Sequence, residues 1–396
     1  MQHARTFMMV ALVFLSLWAT AAAGRTWTVR KDGSGDFQVI QDAVDAASDG
    51  DAIDIGPGRF DDFQEGIVVG TATWSVYVYI LEKSLTLQGA GADQTIIGPE
   101  DQNFHPWPGT PISLVMGVEC GELKVSDITF ENSPYELISF WLNNQRLEVS
   151  GCVFHEGHRG VIVACPAGGL VAESEFTDLS DYGIHTTSPT NNFHVQNCTF
   201  TNVYGPTGAD WCPSDLHVSD CIMDGGRLAV GFFGGATGSA TRCTIRNFDN
   251  YGIGLNAPGA VTITDNTIEQ SDGWGMALAD ANEAVITNNL VSTETGVCLS
   301  FPYPCDGMVF EGNDLYRGNG DFAQTTDYWN FNPPTYFHLE NNYWGTTDAE
   351  EIQAHMIDGH VQDLVNMFII FEPFEGGSVP TQNSSWGSLK AMYRGE

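Results

Sequence analysis

Leu147-Glu-Val-Ser-Gly-Cys-Val-Phe154, Phe193-His-Val-Gln-Asn-Cys-Thr-Phe200 and Leu216-His-Val-Ser-Asp-Cys-Ile-Met223 are copies of one eight-residue pattern, apolar–x–apolar–x–x–(Cys/Asn)–x–apolar. Further copies are Leu123–Phe130, Val261–Ile268, Met308–Leu315 and Phe337–Trp344. The sixth position falls at 128, 152, 174, 198, 221, 243, 266, 289, 313 and 342, so the steps are 24, 22, 24, 23, 22, 23, 23, 24 and 29. These residues are β-branched and aromatic, alternate in polarity, and are broken by Gly, Asp and Asn, which excludes helical repeats. A propeller blade needs a period of about 40 or more. A period near 23 leaves a β-solenoid in which each coil contributes short strands and buries its apolar face on the next coil. The expected fold is therefore all-β: a single-stranded right-handed parallel β-helix.

A second strand recurs after a glycine: Gly160-Val-Ile-Val163, Gly183-Ile-His-Thr186, Gly252-Ile-Gly-Leu255, Gly275-Met-Ala-Leu278 and Gly296-Val-Cys-Leu299. Strand alternation points Val161, Ile184, Ile253, Met276 and Val297 inward, and Ile162, His185, Gly254, Ala277 and Cys298 outward. The sixth motif position forms a stack that changes from cysteine (Cys152, Cys198, Cys221, Cys243) to asparagine (Asn266, Asn289, Asn313, Asn342). Stacked amides can bond from coil to coil, and the parallel cysteine vectors favour free thiols over disulfides.

An open solenoid needs end caps. Asp36 to Ala47 reads as an amphipathic helix covering the first coil. Thr347 to Ile357 reads as a second helix, and Val365 to Phe374 as a closing strand. Residues 1–23 carry an apolar run ending in Ala21-Ala22-Ala23 and read as a signal peptide, so export is expected. The β-helix spans 24–375, and the Gly/Ser/Asn-rich stretch 376–396 reads as a flexible tail.

Asp+Glu total 50 against 15 Lys+Arg, a formal net charge of −35. No basic patch is available for nucleic acid, no later segment is long and apolar enough to span a membrane, and a monomer is expected. No cofactor is implied. The acidic excess would suit Ca²⁺, yet no Asp-x-Asp-x-Asp-Gly loop is present. Nine cysteines leave an odd thiol. Cys298 and Cys305 flank a short loop and are expected to form a disulfide, and Cys165 with Cys212 is a weaker pairing.

Val29-Arg-Lys-Asp-Gly-Ser-Gly-Asp-Phe37, followed by Ile40-Gln-Asp-Ala-Val-Asp-Ala46, resembles the opening strand and helix of pectin methylesterases and other pectin-lyase-like proteins. Asp54-Ile-Gly-Pro-Gly-Arg-Phe60 is similar to the turn that follows in them, and Asn341-Asn-Tyr-Trp-Gly345 resembles the last coil of bacterial right-handed β-helix repeat proteins. The resemblance implies the fold and a carbohydrate-related role. It does not carry an activity. The strand-linked Asp, Asp and Arg of the methylesterases are missing. Asp61-Asp62 stands in the wrong place and Gly157-His158-Arg159 breaks the pattern for polygalacturonases. The Asp set and basic Arg of pectate lyases have no counterpart here.

With the recurring glycine as register, His158 stacks near Asp181 and Arg159 near Tyr182, with His185 just beyond and His155 and Asp210 within reach. This set could supply an acid, a base and charge neutralisation for sugar chemistry. Tyr182, Tyr251 and Trp274 stand beside the small outward residues Gly231, Gly254 and Ala277, an arrangement that suits a shallow sugar groove. A third face carries Lys124, Glu148, His194, His217 and His338. Two readings stay open, a protein that binds or processes an extracellular polysaccharide and a non-catalytic surface or adhesive solenoid.

Overall fold

The computed structural model describes residues 24–101, 110–142, 144–187, 189–209, 213–270, 272–325, 334–359 and 366–374. The signal-peptide and tail assignments, Asp210 and Cys212 lie outside them. The chain winds as a parallel solenoid. One face is a sheet of twelve parallel strands, beginning with Thr26–Val29, Asp51–Ile55 and Leu85–Gly89 and ending with Val309–Glu311. Most of the other strands form two further ladders. One holds Thr129–Glu131, Val153–Gly157, Glu175–Leu179 and Thr199–Thr201, and the other holds Glu136–Leu142, Arg159–Val163, Tyr182–Thr186 and Gly205–Ala209. In two consecutive coils the two strands run together as Ile222–Phe233 and Thr244–Asn256.

Positions one and three of the motif point into the core: Leu147, Val149, Phe193, Val195, Leu216 and Val218 are fully buried. Position eight supplies a ladder of rings through Phe130, Phe154, Phe176 and Phe200, with centroids 5.2, 4.6 and 4.7 Å apart. Parallel in-register strands place like side chains one coil apart, so the same residue type repeats and the rings stack offset.

Position six behaves as the sequence implies. Each asparagine side-chain oxygen accepts from the backbone and amide nitrogens of the asparagine one coil earlier: Asn266 Nδ2 donates to Asn289 at 2.9 Å, Asn289 to Asn313 at 2.9 Å and Asn313 to Asn342 at 3.0 Å. Each amide also donates to a strand carbonyl, as Asn289 does to Ile263 at 3.0 Å, which satisfies groups that burial would otherwise penalise. The ladder continues into the cysteine stack, where the Cys243 backbone N–H donates to Asn266 Oδ1 at 2.9 Å. Cys152, Cys198, Cys221 and Cys243 are buried free thiols.

The pairing expected of Cys298 with Cys305 is absent. Both are buried free thiols, Cys298 Sγ donating to the Tyr316 carbonyl at 3.3 Å and Cys305 Sγ to the Leu278 carbonyl at 3.5 Å. Cys165 is also free. The same region corrects the strand register. Val161 and Ile184 pair inward, as do Ile253 and Met276, but Met276 pairs with Leu299. Gly296 sits on Gly273, two residues earlier than assumed, because its missing side chain leaves room for the Gly273 carbonyl. Cys298 therefore lies in the core and Val297 stands next to Trp274 at the surface edge.

The caps are shorter than the sequence suggests. The first helix is Ile40–Ala46, because Asp36 instead accepts from the Thr28 backbone and hydroxyl and Phe37 bridges to Val29. Its Gln41 amide exchanges two hydrogen bonds with the Tyr79 backbone and so extends the sheet over the open end. The second helix is Ala349–Ala354, capped by the Asp348 side chain, and Met356–Ile357 joins the sheet. The closing strand is Met367–Ile370, paired in parallel with Thr335–His338. His338 is thus outside the twelve-stranded sheet on which it was expected.

Candidate functional site

Two adjoining regions of one side of the solenoid hold the candidate residues. The first is the start of the Arg159–Val163 and Tyr182–Thr186 strands. Stacking with a period of 23 brings His158 to Asp181, with Nε2 3.5 Å from Oδ2, and the neighbouring Arg159 donates from Nε to the same oxygen at 2.7 Å. His158 Nδ1 is 3.0 Å from Ser180 Oγ. The other side of Arg159 faces Glu136, with 3.8 Å between Nη1 and Oε1. Partial burial moves the His158 pKa down, and Arg159 adds to this, while Asp181 opposes it. The imidazole is therefore neutral at neutral pH and can accept a proton. His158, Ser133, Pro134, Glu156, Asp178 and Ser180 line a cleft of about 370 Å³.

The Tyr182 and His185 rings stack on one another at 4.8 Å, on the strand that pairs with Arg159–Val163. His155 belongs elsewhere: its Nε2 is 2.5 Å from Glu131 Oε2, and the other oxygen of this buried carboxylate is held by Arg59. Glu131, Glu136 and Arg59 were missed by the sequence reading. The register contained the signal for Glu136, which stands one period before Arg159.

The second region is the aromatic face. Tyr251 and Trp274 are paired neighbours, with centroids 6.4 Å apart. Tyr182 does not continue their row, because Gly205 follows it in register and Leu228 precedes Tyr251. The small residues do not form an open trough. The Tyr182 ring lies against Gly205 and Gly208, the Phe233 ring against Gly231 and the Tyr251 ring against Gly254, each within 2.4 to 2.8 Å of where a Cβ would be. The four aromatic residues Tyr182, Phe233, Tyr251 and Trp274 remain partly exposed. Glycine therefore lets these rings pack closely against the backbone while staying partly exposed, making a set of aromatic contacts in place of the expected groove.

Between these regions runs a larger cleft of about 640 Å³, lined by Asp178, Asn202, Tyr204, Arg227, Asp249 and Asn250 among others. It shares Asp178 and Ser180 with the His158 cleft, and Asn250 is the residue before Tyr251. Arg227 Nη1 donates to Tyr204 Oη at 2.5 Å.

On the opposite, twelve-stranded sheet the expected column is present: Lys124 pairs with Glu148, and His194 with His217, their rings stacked at 4.9 Å. A carboxylate missed by the sequence reading, Asp215, is 3.3 Å from His217 Nε2. Among the described residues, no three His, Cys, Asp or Glu side chains converge as a metal site.

The sequence profile of the right-handed β-helix region matches residues 115–315 and 228–342. The chain belongs to this family. No curated protein matches its sequence. Among solved structures, it is similar to a tailspike protein mutant of E. coli bacteriophage HK620 in complex with a pentasaccharide, with a TM-score of 0.58 and 11% identity, over 84% of this chain and 74% of that one. A double mutant of the same tailspike gives 0.55 at 11% identity with the same coverage. An alginate lyase from Paenibacillus sp. is also similar, at a TM-score of 0.43 and 12% identity over 74% of this chain and 98% of that one. At these identities the similarity describes the fold.

Proposed function

We propose that this chain is an exported protein that binds or processes an extracellular polysaccharide along its aromatic side. The observation that carries the reading is the set of partly exposed rings packed against glycine: Tyr182 against Gly205 and Gly208, Phe233 against Gly231 and Tyr251 against Gly254. A ring packed against glycine backbone has lost much of its freedom before ligand arrives, so binding costs little further ordering. Partly exposed aromatic surface of this kind suits the apolar C–H face of a sugar. The tailspike with the same fold was solved with a pentasaccharide, which supports an oligosaccharide as ligand.

His158 is the residue suited to proton transfer, as a neutral imidazole oriented by Ser180 and Asp181 in an open cleft. Arg159 holds Asp181, and the Ser139 hydroxyl donates to Glu136. That engagement favours a second reading, a binding solenoid without turnover.

A panel of neutral and acidic polysaccharides, assayed for binding and for new reducing ends or ultraviolet-absorbing unsaturated products, tests both. Binding weakened about tenfold or more by the joint Tyr251→Ala and Trp274→Ala change is expected, at about 1.4 kcal/mol per tenfold. Binding that is indifferent to this change, in a variant that still melts cooperatively, would overturn the proposal. Where turnover is seen, His158→Ala lowers it on the order of 10²-fold. Turnover unchanged by His158→Ala removes His158 from the chemistry.

A further inference from the structure

The positive charge of this protein is almost entirely spent. Among the described residues, the guanidinium groups of Arg25, Arg30, Arg59, Arg146, Arg159, Arg242, Arg246 and Arg317 each lie within 4.0 Å of a carboxylate. Arg227 is the exception: its partner is the neutral Tyr204, whose hydroxyl accepts from Nη1 at 2.5 Å and whose ring centroid is 5.6 Å from the guanidinium carbon. In a chain of net charge −35, an exposed arginine without a carboxylate stands out, and this one lines the 640 Å³ cleft whose Asn250 directly precedes Tyr251.

Building on the glycan-binding reading above, we infer that Arg227 and Tyr204 form a subsite for one anionic sugar substituent, a carboxylate or a sulfate ester, within an otherwise neutral glycan. The guanidinium offers paired N–H donors in a planar fork that matches either oxyanion. Tyr204 holds that fork on one side, leaving its remaining donors toward the cleft. The residues around it argue against a uniformly charged polymer. Asp178, two coils before Arg227, and Asp249, one coil after it, line the same cleft and place negative charge on both sides of the anion. Both are hydroxyl acceptors, as are the side-chain oxygens of Asn202 and Asn250. A neutral sugar satisfies them, whereas a second acid unit meets repulsion from them and from the whole −35 field. The ligand class is thus a heteropolysaccharide with widely spaced acid groups.

A glycan array of matched-length oligosaccharides tests this, with neutral, singly carboxylated, singly sulfated and uniformly acidic arms. The protein should retain a singly charged arm at least tenfold better than the neutral and the uniformly acidic arms. The carboxylate and sulfate arms distinguish the source of the anion. Arg227→Ala should erase the preference and leave neutral binding unchanged, while Tyr251→Ala should weaken every arm together. Equal retention of neutral and singly charged arms would overturn the subsite and leave the aromatic contacts standing, as would a preference for the uniformly acidic arm or one that survives Arg227→Ala. Absence of binding to every arm would overturn both.

Discussion

The residue before the sixth position of each motif copy has left-handed backbone. Asp127, Gly151, Glu173, Asn197, Asp220, Arg242, Asp265, Asn288, Gly312 and Asn341 all have φ between 51° and 67°. This conformation bends the strand into the turn, and it favours Gly, Asn and Asp because longer L side chains crowd the carbonyl there. Glu173 and Arg242 carry that penalty. Glu173→Asn should stabilise the protein by about 0.5–1 kcal/mol in chemical denaturation. Asn289→Ala removes an acceptor and a donor from the middle of the amide ladder and should cost about 2–4 kcal/mol by the same measurement. The Cys152 thiol is buried and burial pushes it up to about 12, as it does for Cys165, Cys298 and Cys305. Native protein should therefore leave these four unmodified by a thiol reagent, and all four should react once it is unfolded, as peptide mass spectrometry would report. Modification of Cys298 and Cys305 only after reduction would restore the rejected disulfide.

At the scale of the strand and coil, much was legible in the sequence. The eight-residue motif located the twelve-stranded sheet, because burial repeats at positions one, three, six and eight of copies such as Leu147–Phe154, Phe193–Phe200 and Leu216–Met223. The second strand was legible only while its glycine held a constant place. Gly160, Gly183, Gly252 and Gly275 keep it, but Gly296 stacks on Gly273, and the two-residue slip turned Cys298 from surface to core. The approach of His158 to Asp181 followed from counting one period, whereas the Arg159–Asp181 hydrogen bond and the packing of rings against glycine did not, since side-chain direction is not set by spacing. Glu131 and Arg59 escaped notice because the loop-containing early coils depart from the regular period. Phe176 is sandwiched between Phe154 and Phe200, so Phe176→Ala should cost about 3–5 kcal/mol in denaturant, the ordinary cost of a large buried cavity.

The whole molecule is governed by one stacking direction and one sign of charge. Each coil touches only its neighbours, so a defect in one coil weakens two interfaces and leaves distant ones intact. Net charge of −35 makes the fold repel itself, and salt relieves that. The melting temperature at neutral pH should rise as the ionic strength goes from about 0.01 M to about 1 M, where the Debye length falls from about 30 Å to about 3 Å. Arg242 holds the Asp220 carboxyl below the usual carboxylate range. A carboxylate with a depressed native pKa stabilises the fold above its unfolded pKa, near 4, and loses that contribution as pH falls through the native value. Asp220→Asn should accordingly be destabilising at neutral pH and neutral in strong acid.

The glycan reading joins these scales, since ring orientation, coil register and the neighbouring cleft all sit on one side of the solenoid. A crystal structure of the protein with an oligosaccharide selected from the array tests it most directly. Sugar rings should lie against Tyr182, Tyr251 and Trp274, with an acid group at Arg227. An oligosaccharide on the Lys124–His217 sheet instead, with the aromatic rings bare, would contradict it.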